Sequence, residues 1–145
     1  MKVAKKILLV DDDEDDWLLF REAIREIDDA LVCHFFQDAI EAIHFLSNLE
    51  ERLPDYIFLD LNMPRMNGKE CLQEIKRRES LAHIPVVILS TSDLESEVMH
   101  TKILGASYFV TKPNRHKLLV EALNFILKRN GEALPSGLSK WVKEI

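Results

Sequence analysis

Short apolar runs alternate along the chain with segments whose apolar residues recur at helical spacing. The runs have the length and continuity of strands that are buried on both faces. They occupy residues 6–10, 31–36, 56–59, 86–89 and 108–110. The helical stripes are Trp17, Phe20, Ala23, Ile24 and Ile27; Ala39, Ile43, Leu46 and Leu49; Cys71, Leu72 and Ile75; residues 94–104, which stop at Gly105; and Leu118, Leu119, Ala122, Leu123 and Ile126. This pattern predicts five strands and five helices in strict alternation.

The alternation indicates an α/β fold, because parallel strands joined by helices need right-handed crossovers that place helices on both faces of a sheet. We therefore expect a flavodoxin-like, doubly wound, five-stranded parallel sheet with strand order 2-1-3-4-5 and five helices. No internal repeat is visible. We interpret residues 1–130 as one domain and residues 131–145 as a short C-terminal tail.

The composition narrows the class of protein. A length of 145 residues suits a single domain, and 47% hydrophobic with 30% charged residues is an ordinary globular balance. The formal net charge of -6 argues against nucleic acid as the main partner. Cys33 and Cys71 lack the spacing of zinc ligands, and we interpret them as reduced thiols. The polar first residues and the absence of a long apolar stretch predict a cytoplasmic protein with no membrane partner.

Polar side chains follow all five predicted strands at the point where each strand ends; Gln37 and Asp38 after strand two lie to one side, and those after the other four strands face one site. In a doubly wound sheet the ligand crevice lies outside these carboxyl ends, so the side chains should converge. They are Asp11 and Asp12 after strand one, Asp60 after strand three, Ser90 and Thr91 after strand four, and Thr111 and Lys112 after strand five. Three carboxylates, hydroxyls and an ammonium group are thus predicted to share one shallow site.

Three carboxylates that lie close together repel one another, and a divalent cation relieves that repulsion. Ligands that are all oxygen favour Mg²⁺, which keeps several waters. We expect direct ligation by Asp12 and Asp60, a backbone carbonyl from the loop after Asp60, and waters held by Asp11. A phosphoryl group could then be accepted by Asp60, with Lys112 and Ser90 binding two of its oxygens.

These motifs closely resemble the receiver domain of two-component response regulators, in its stand-alone, single-domain form. The resemblance covers about residues 5 to 128 and is carried by the strings at residues 7–16, 59–68, 86–91 and 111–113. It implies a phosphorylated signalling module rather than a turnover enzyme. The phosphoryl donor would be a phosphohistidine on a sensor histidine kinase or a histidine phosphotransfer protein.

The resemblance also implies a role for each site residue. Asp11 and Asp12 would be the acidic pair, Asp60 the phosphoacceptor, and Asn62 the donor of a main-chain carbonyl to Mg²⁺. Ser90 takes the place of the switch hydroxyl and Lys112 that of the family's lysine. In that family the bond between Lys112 and Pro113 is usually cis, so Pro113 is expected to modulate the site.

Two positions depart from the family's pattern. The switch aromatic falls on Phe109, where the family often has tyrosine, so the hydroxyl contact is lost. Thr91 follows the switch hydroxyl, where the family prefers alanine or glycine. We hypothesise that the bulk of Thr91 hinders water from reaching the acyl phosphate and slows its hydrolysis. Asp13 to Asp16 are interpreted only as acids that favour a helix N-terminus.

The resemblance implies that phosphorylation changes the face made by helix four, strand five and helix five, at about residues 94–128. This face would act on a protein partner, and homodimerisation through it is one prediction. Candidate contact residues are His100, Tyr108, Phe109, Lys112, Lys117 and the tail around Trp141. Two alternatives stay open. A Mg²⁺-dependent phosphohydrolase would need a second acid where this chain has Asn62, and a degenerate receiver would bind partners without phosphate.

Overall fold

The computed structural model describes residues 6–48, 52–129 and 131–145. Leu49, which we assigned to the second helical stripe, lies outside these residues. The elements in chain order are β1 Lys6–Val10, α1 Glu14–Ile27, β2 Val32–Phe36, α2 Ala39–Ser47, β3 Tyr56–Asp60, α3 Gly68–Arg77, β4 Val86–Ser90, α4 Glu95–Ile103, β5 Tyr108–Thr111, α5 His116–Leu127, a short 3-10 helix Ser136–Leu138, and β6 Val142–Glu144. The five predicted strand-and-helix units are all present.

The sheet runs in the order β2-β1-β3-β4-β5-β6. The first five strands are parallel, which confirms the predicted flavodoxin-like order 2-1-3-4-5. The sixth strand was not predicted. It comes from the stretch that we interpreted as a tail, and it pairs antiparallel with β5, so that Val110 lies opposite Val142.

Two apolar layers cover the sheet because successive residues of each buried strand point to opposite faces. Ile7, Leu9 and Phe58 pack with α1 and α5 on one face. Leu8 and Phe109 pack with α2, α3 and the apolar residues of α4 on the other. The strands β1, β3 and β4 are buried along almost their whole length, as the continuous apolar runs predicted. No helix in the described part of the chain has the length and apolar character needed to cross a bilayer.

Local sequence signals mark where several helices begin or end. Asp13 caps α1 by accepting a hydrogen bond from the backbone N–H of Asp15 at 2.9 Å. Asn67 and Glu70 form a reciprocal capping box at the start of α3. Gly105 has a φ of 104°, a left-handed conformation that glycine adopts without strain, and it follows α4 where the sequence predicted the helix to stop.

The bond between Lys112 and Pro113 is trans, which corrects the cis bond that the family resemblance implied. Trans is the intrinsically preferred isomer before proline, by about 0.5–1 kcal/mol. In this conformation the backbone N–H of Lys112 donates to the carbonyl of Ser90 at 2.7 Å, so the end of β5 is tied to the end of β4.

Candidate functional site

Three acids meet at the carboxyl end of the sheet. One carboxylate oxygen from each of Asp11, Asp12 and Asp60 lies within 4.8 Å of the other two. The sheet register explains their proximity, because β1 and β3 are adjacent parallel strands in which Val10 pairs with Leu59. Asp11 is 1% exposed and Asp60 is 7% exposed, whereas Asp12 is exposed. The site is therefore a shallow pocket with one solvent-facing acid.

Asp11 is held in place by its backbone and its side chain. Its carboxylate Oδ1 accepts a hydrogen bond from the backbone N–H of Asp13 at 2.9 Å. Its backbone carbonyl accepts one from the indole Nε1 of Trp17 at 2.7 Å, and its N–H donates to the carbonyl of Phe36 at 3.0 Å. Trp17, which the sequence placed in the first apolar helical stripe, therefore also supports the backbone of Asp11.

Gly68 lets α3 pack closely against the end of β3. Its backbone N–H donates to the carbonyl of Leu61 at 2.9 Å. A Cβ atom at this position would lie 2.4 Å from the carbonyl oxygen of Asp60 and 2.7 Å from the Cα of Leu61. Any larger residue would displace the backbone that carries the Asp60 carboxylate.

Lys112 contacts two acids of the cluster, Asp11 and Asp60, and a further acid outside it. Its Nζ lies 3.2 Å from Asp11 Oδ2 and 3.4 Å from Asp60 Oδ1. The same Nζ lies 2.7 Å from Asp16 Oδ2. The sequence predicted Lys112 at this site but assigned Asp16 only to the helix N-terminus. The missed signal was its position in the first turn of α1, directly after the loop that carries Asp11.

The two buried acids of the cluster, Asp11 and Asp60, are protonated more readily than free carboxyl groups because their pKa values are raised. Burial raises the pKa of Asp11 to about 7, with smaller contributions from Asp60 and Asp16 and with opposition from the Asp13 N–H and Lys112. Burial also raises the pKa of Asp60, although Lys112 and the backbone N–H of Asn62 oppose that change.

The pKa of Lys112 is raised as well, but for an ammonium this shift favours the charged form. Burial alone would lower its pKa, but the hydrogen bond to Asp16 and the attraction of Asp11 and Asp60 outweigh burial and raise it. The ammonium is therefore charged at neutral pH, while the buried Asp11 and Asp60 resist carrying their negative charges. A bound divalent cation would remove that resistance.

The chemistry of the donor set fits a hard divalent cation. The three clustered side chains offer oxygen atoms alone, which suits Mg²⁺ or Mn²⁺ better than a metal that prefers nitrogen or sulfur. Both cysteines lie away from this cluster, and burial raises the pKa of each thiol to about 12. They are poor metal ligands in that state.

The predicted switch residues occupy the same edge of the sheet. Ser90 is fully buried at the end of β4, and its Oγ accepts a hydrogen bond from the backbone N–H of Ser92 at 3.1 Å. Thr91 is exposed beside it. Phe109 is fully buried in the apolar layer beneath α4, so in this conformation its ring is unavailable to a partner.

Comparisons with known proteins agree on one family. A family model described as the response regulator receiver domain matches residues 7–124. Response regulator Rcp1 of Synechocystis sp. is 36% identical over 128 residues, which cover 84% of this chain and 86% of Rcp1.

Two solved structures superpose on most of the chain, each with a TM-score of 0.78 and each covering 91% of this chain and 99% of its own. One is the phosphorylated cyanobacterial phytochrome response regulator RcpA, at 33% sequence identity. The other is the Mn²⁺-bound form of response regulator Rcp1, at 31% identity.

Proposed function

Because the chain belongs to the response regulator receiver family, we propose that it receives a phosphoryl group on Asp60 with the help of Mg²⁺. Receiver domains are signalling modules that work with histidine kinases, and they bind a divalent metal at their acidic pocket. The observation that supports Asp60 as the acceptor is its position. It belongs to the acid cluster with the solvent-facing Asp12, and its Oδ1 lies 3.4 Å from the ammonium of Lys112.

Asp11, Asp12 and Asp60 would hold the metal, together with the main-chain carbonyl of Asn62. The solved Mn²⁺-bound structure of the similar Rcp1 supports a divalent ion at this pocket. The cation would neutralise negative charge on the phosphoryl group during transfer. Asp60 would supply the nucleophilic oxygen that forms the new O–P bond, while the P–N bond of the donor phosphohistidine breaks and its imidazole departs as the leaving group.

Lys112 and Ser90 would bind the phosphoryl oxygens once the acyl phosphate has formed. Lys112 already lies 3.4 Å from Asp60 Oδ1 and brings a positive charge to the same side of the pocket. Ser90 is buried next to it at the end of the neighbouring strand, and its hydroxyl can donate to an oxygen that approaches. Phe109 and Ser90 would then report the state of Asp60 to α4.

The test is covalent labelling with acetyl phosphate and Mg²⁺, followed by intact-mass measurement. We expect a gain of one phosphoryl group in the wild type, its loss in Asp60→Asn, and its loss on chelation of the metal. Asp15→Asn is the matched control, because it removes one exposed carboxylate from the first turn of α1, close in sequence to Asp11 and Asp12. Labelling of Asp60→Asn at the wild-type rate would contradict the assignment.

The two alternative functions, a degenerate receiver and a phosphohydrolase, predict different results in the same assay. A degenerate receiver would show no gain in mass at all. A phosphohydrolase would turn over small phosphoesters continuously. The amide of Asn62, two residues after Asp60, is a poor replacement for the acid that such an enzyme needs.

We also propose that the face made by α4, β5 and α5 binds a protein partner, with homodimerisation as the arrangement to be tested. Leu94, Met99 and Ile103 are 59%, 56% and 75% exposed at α4, which is a high exposure for large apolar side chains. The outer edge of β5 is paired with β6, so it does not contribute free hydrogen-bonding groups to this face. The absence of nucleic-acid partners and the cytoplasmic location stay predictions.

Size-exclusion chromatography with and without beryllofluoride tests this face. We expect the acyl-phosphate mimic to shift the wild type toward a dimer. Asp60→Ala should abolish the response, and Ile103→Asp should weaken the dimer without preventing beryllofluoride from binding. A monomer under both conditions would contradict homodimerisation and would favour a different protein partner.

A further inference from the structure

Lys112 makes its shortest carboxylate contact in the described structure with a residue outside the acid cluster. The Nζ–Asp16 Oδ2 distance is 2.7 Å, compared with 3.2 Å to Asp11 and 3.4 Å to Asp60. Asp16 lies in the first turn of α1, and its side chain is 30% exposed. A role in favouring the helix N-terminus does not by itself explain why Asp16 contacts an ammonium that is 96 residues away in the chain.

We propose that Asp16 is a positioning residue that holds Lys112 in the unphosphorylated protein and competes with the incoming phosphoryl group for its ammonium. The proposal rests on the proposed acceptor role of Asp60. It adds a fourth acid to the three that surround the metal, with a different function. Asp16 would control how available Lys112 is.

A lysine ammonium has three N–H donors, and here three carboxylates surround it. A phosphoryl group on Asp60 adds new acceptor oxygens, so at least one present contact must weaken. The Asp60 contact is replaced by the phosphoryl oxygens themselves. That exchange uses one donor and leaves one each for Asp11 and Asp16, so a second phosphoryl oxygen can be bound only if one of these two carboxylates is released.

Exposure decides which of these two carboxylates is easier to release. The Asp11 side chain is 1% exposed and is also bonded to the N–H of Asp13, so it cannot exchange the ammonium for water. Asp16 is 30% exposed and can be rehydrated when Lys112 leaves. Release of Asp16 is therefore the cheaper step, and its attraction for Lys112 opposes capture of the phosphoryl oxygen.

The experiment is a beryllofluoride titration at saturating Mg²⁺, measured by calorimetry. Neutralising the competitor in Asp16→Asn should tighten beryllofluoride binding by about 1.5-fold to fivefold, the range expected for a partly exposed charge pair. Asp16→Glu keeps the charge and should stay near the wild type. Asp15→Asn removes the same charge from the neighbouring position without a contact to Lys112, and it measures the general effect of charge on anion binding.

A double-mutant cycle separates this role from a structural one. In a Lys112→Ala background, Asp16→Asn should change beryllofluoride affinity no more than Asp15→Asn does, because the contact through which Asp16 acts has been removed. The proposal is overturned if Asp16→Asn binds no more tightly than Asp15→Asn, or if its gain persists without Lys112. Melting curves check that each variant is folded, and Asp16→Ser serves as a second neutral variant.

Failure of the proposed function gives a different result. If Asp60 is not the acceptor, the wild type itself will not bind beryllofluoride, and Asp60→Asn will resemble it. If the wild type binds beryllofluoride and Asp60→Asn does not, the result supports Asp60 as the acceptor. The Asp16 variants then decide the positioning role alone.

Discussion

Replacing Asp11 with asparagine should stabilise the metal-free protein at alkaline pH, although it removes a native ion pair. Burial raises the pKa of Asp11 from 3.8 to about 7. Between these values the folded protein keeps a proton that the unfolded chain has released. The free energy of unfolding therefore falls as pH rises from about 4 to about 7, and above pH 7 the full loss is present.

The size of the effect follows from the same values. A rise in pKa from 3.8 to about 7 corresponds to about 4 kcal/mol at 1.36 kcal/mol per pKa unit. Asparagine keeps an acceptor for the N–H of Asp13 but loses the contact with Lys112, which offsets part of the gain. We expect a net increase of about 2 kcal/mol at pH 8, or about 5 °C in Tm for a domain of this length.

Urea and thermal unfolding in the presence of EDTA, at pH 5 and pH 8, measure this difference. The gap in free energy of unfolding between Asp11→Asn and the wild type should be large at pH 8 and small at pH 5. Asp15→Asn should show no such gap, because that carboxylate is exposed. Saturating Mg²⁺ should restore the wild type but not the variant. Equal stabilities at pH 8, or a variant less stable than the wild type, would refute the account of Asp11.

Three further changes test the surroundings of the site. Gly68→Ala should cost about 1–3 kcal/mol in urea unfolding and weaken metal binding, because its Cβ would lie 2.4 Å from the carbonyl oxygen of Asp60; Gly137→Ala, which meets open space, should do neither. Val142→Ala should cost about 2 kcal/mol through lost burial in β6 while metal affinity stays at the wild-type value. Thr91→Ala should shorten the phosphoryl lifetime in a decay assay, and equal lifetimes would remove the steric hypothesis for that residue.

The sequence alone determined the arrangement of the sheet and the position of the acid cluster. Strands buried on both faces read as unbroken apolar runs, and the helices between them read as stripes, so the parallel order followed from few topological rules. Asp11, Asp12 and Asp60 could be placed together because residues that follow adjacent parallel strands lie at one edge of a sheet.

Tertiary structure decided the features that depend on contacts between distant segments. Strand β6 has only three residues and little pattern of its own, and it exists because β5 offers it an unpaired edge. The burial of Phe109 depends on how α4 packs over it. Asp16 and Lys112 are 96 residues apart, and only the folded geometry brings them to 2.7 Å. A run of acids in the sequence does not reveal which member meets a cation, since that depends on where each side chain points in space.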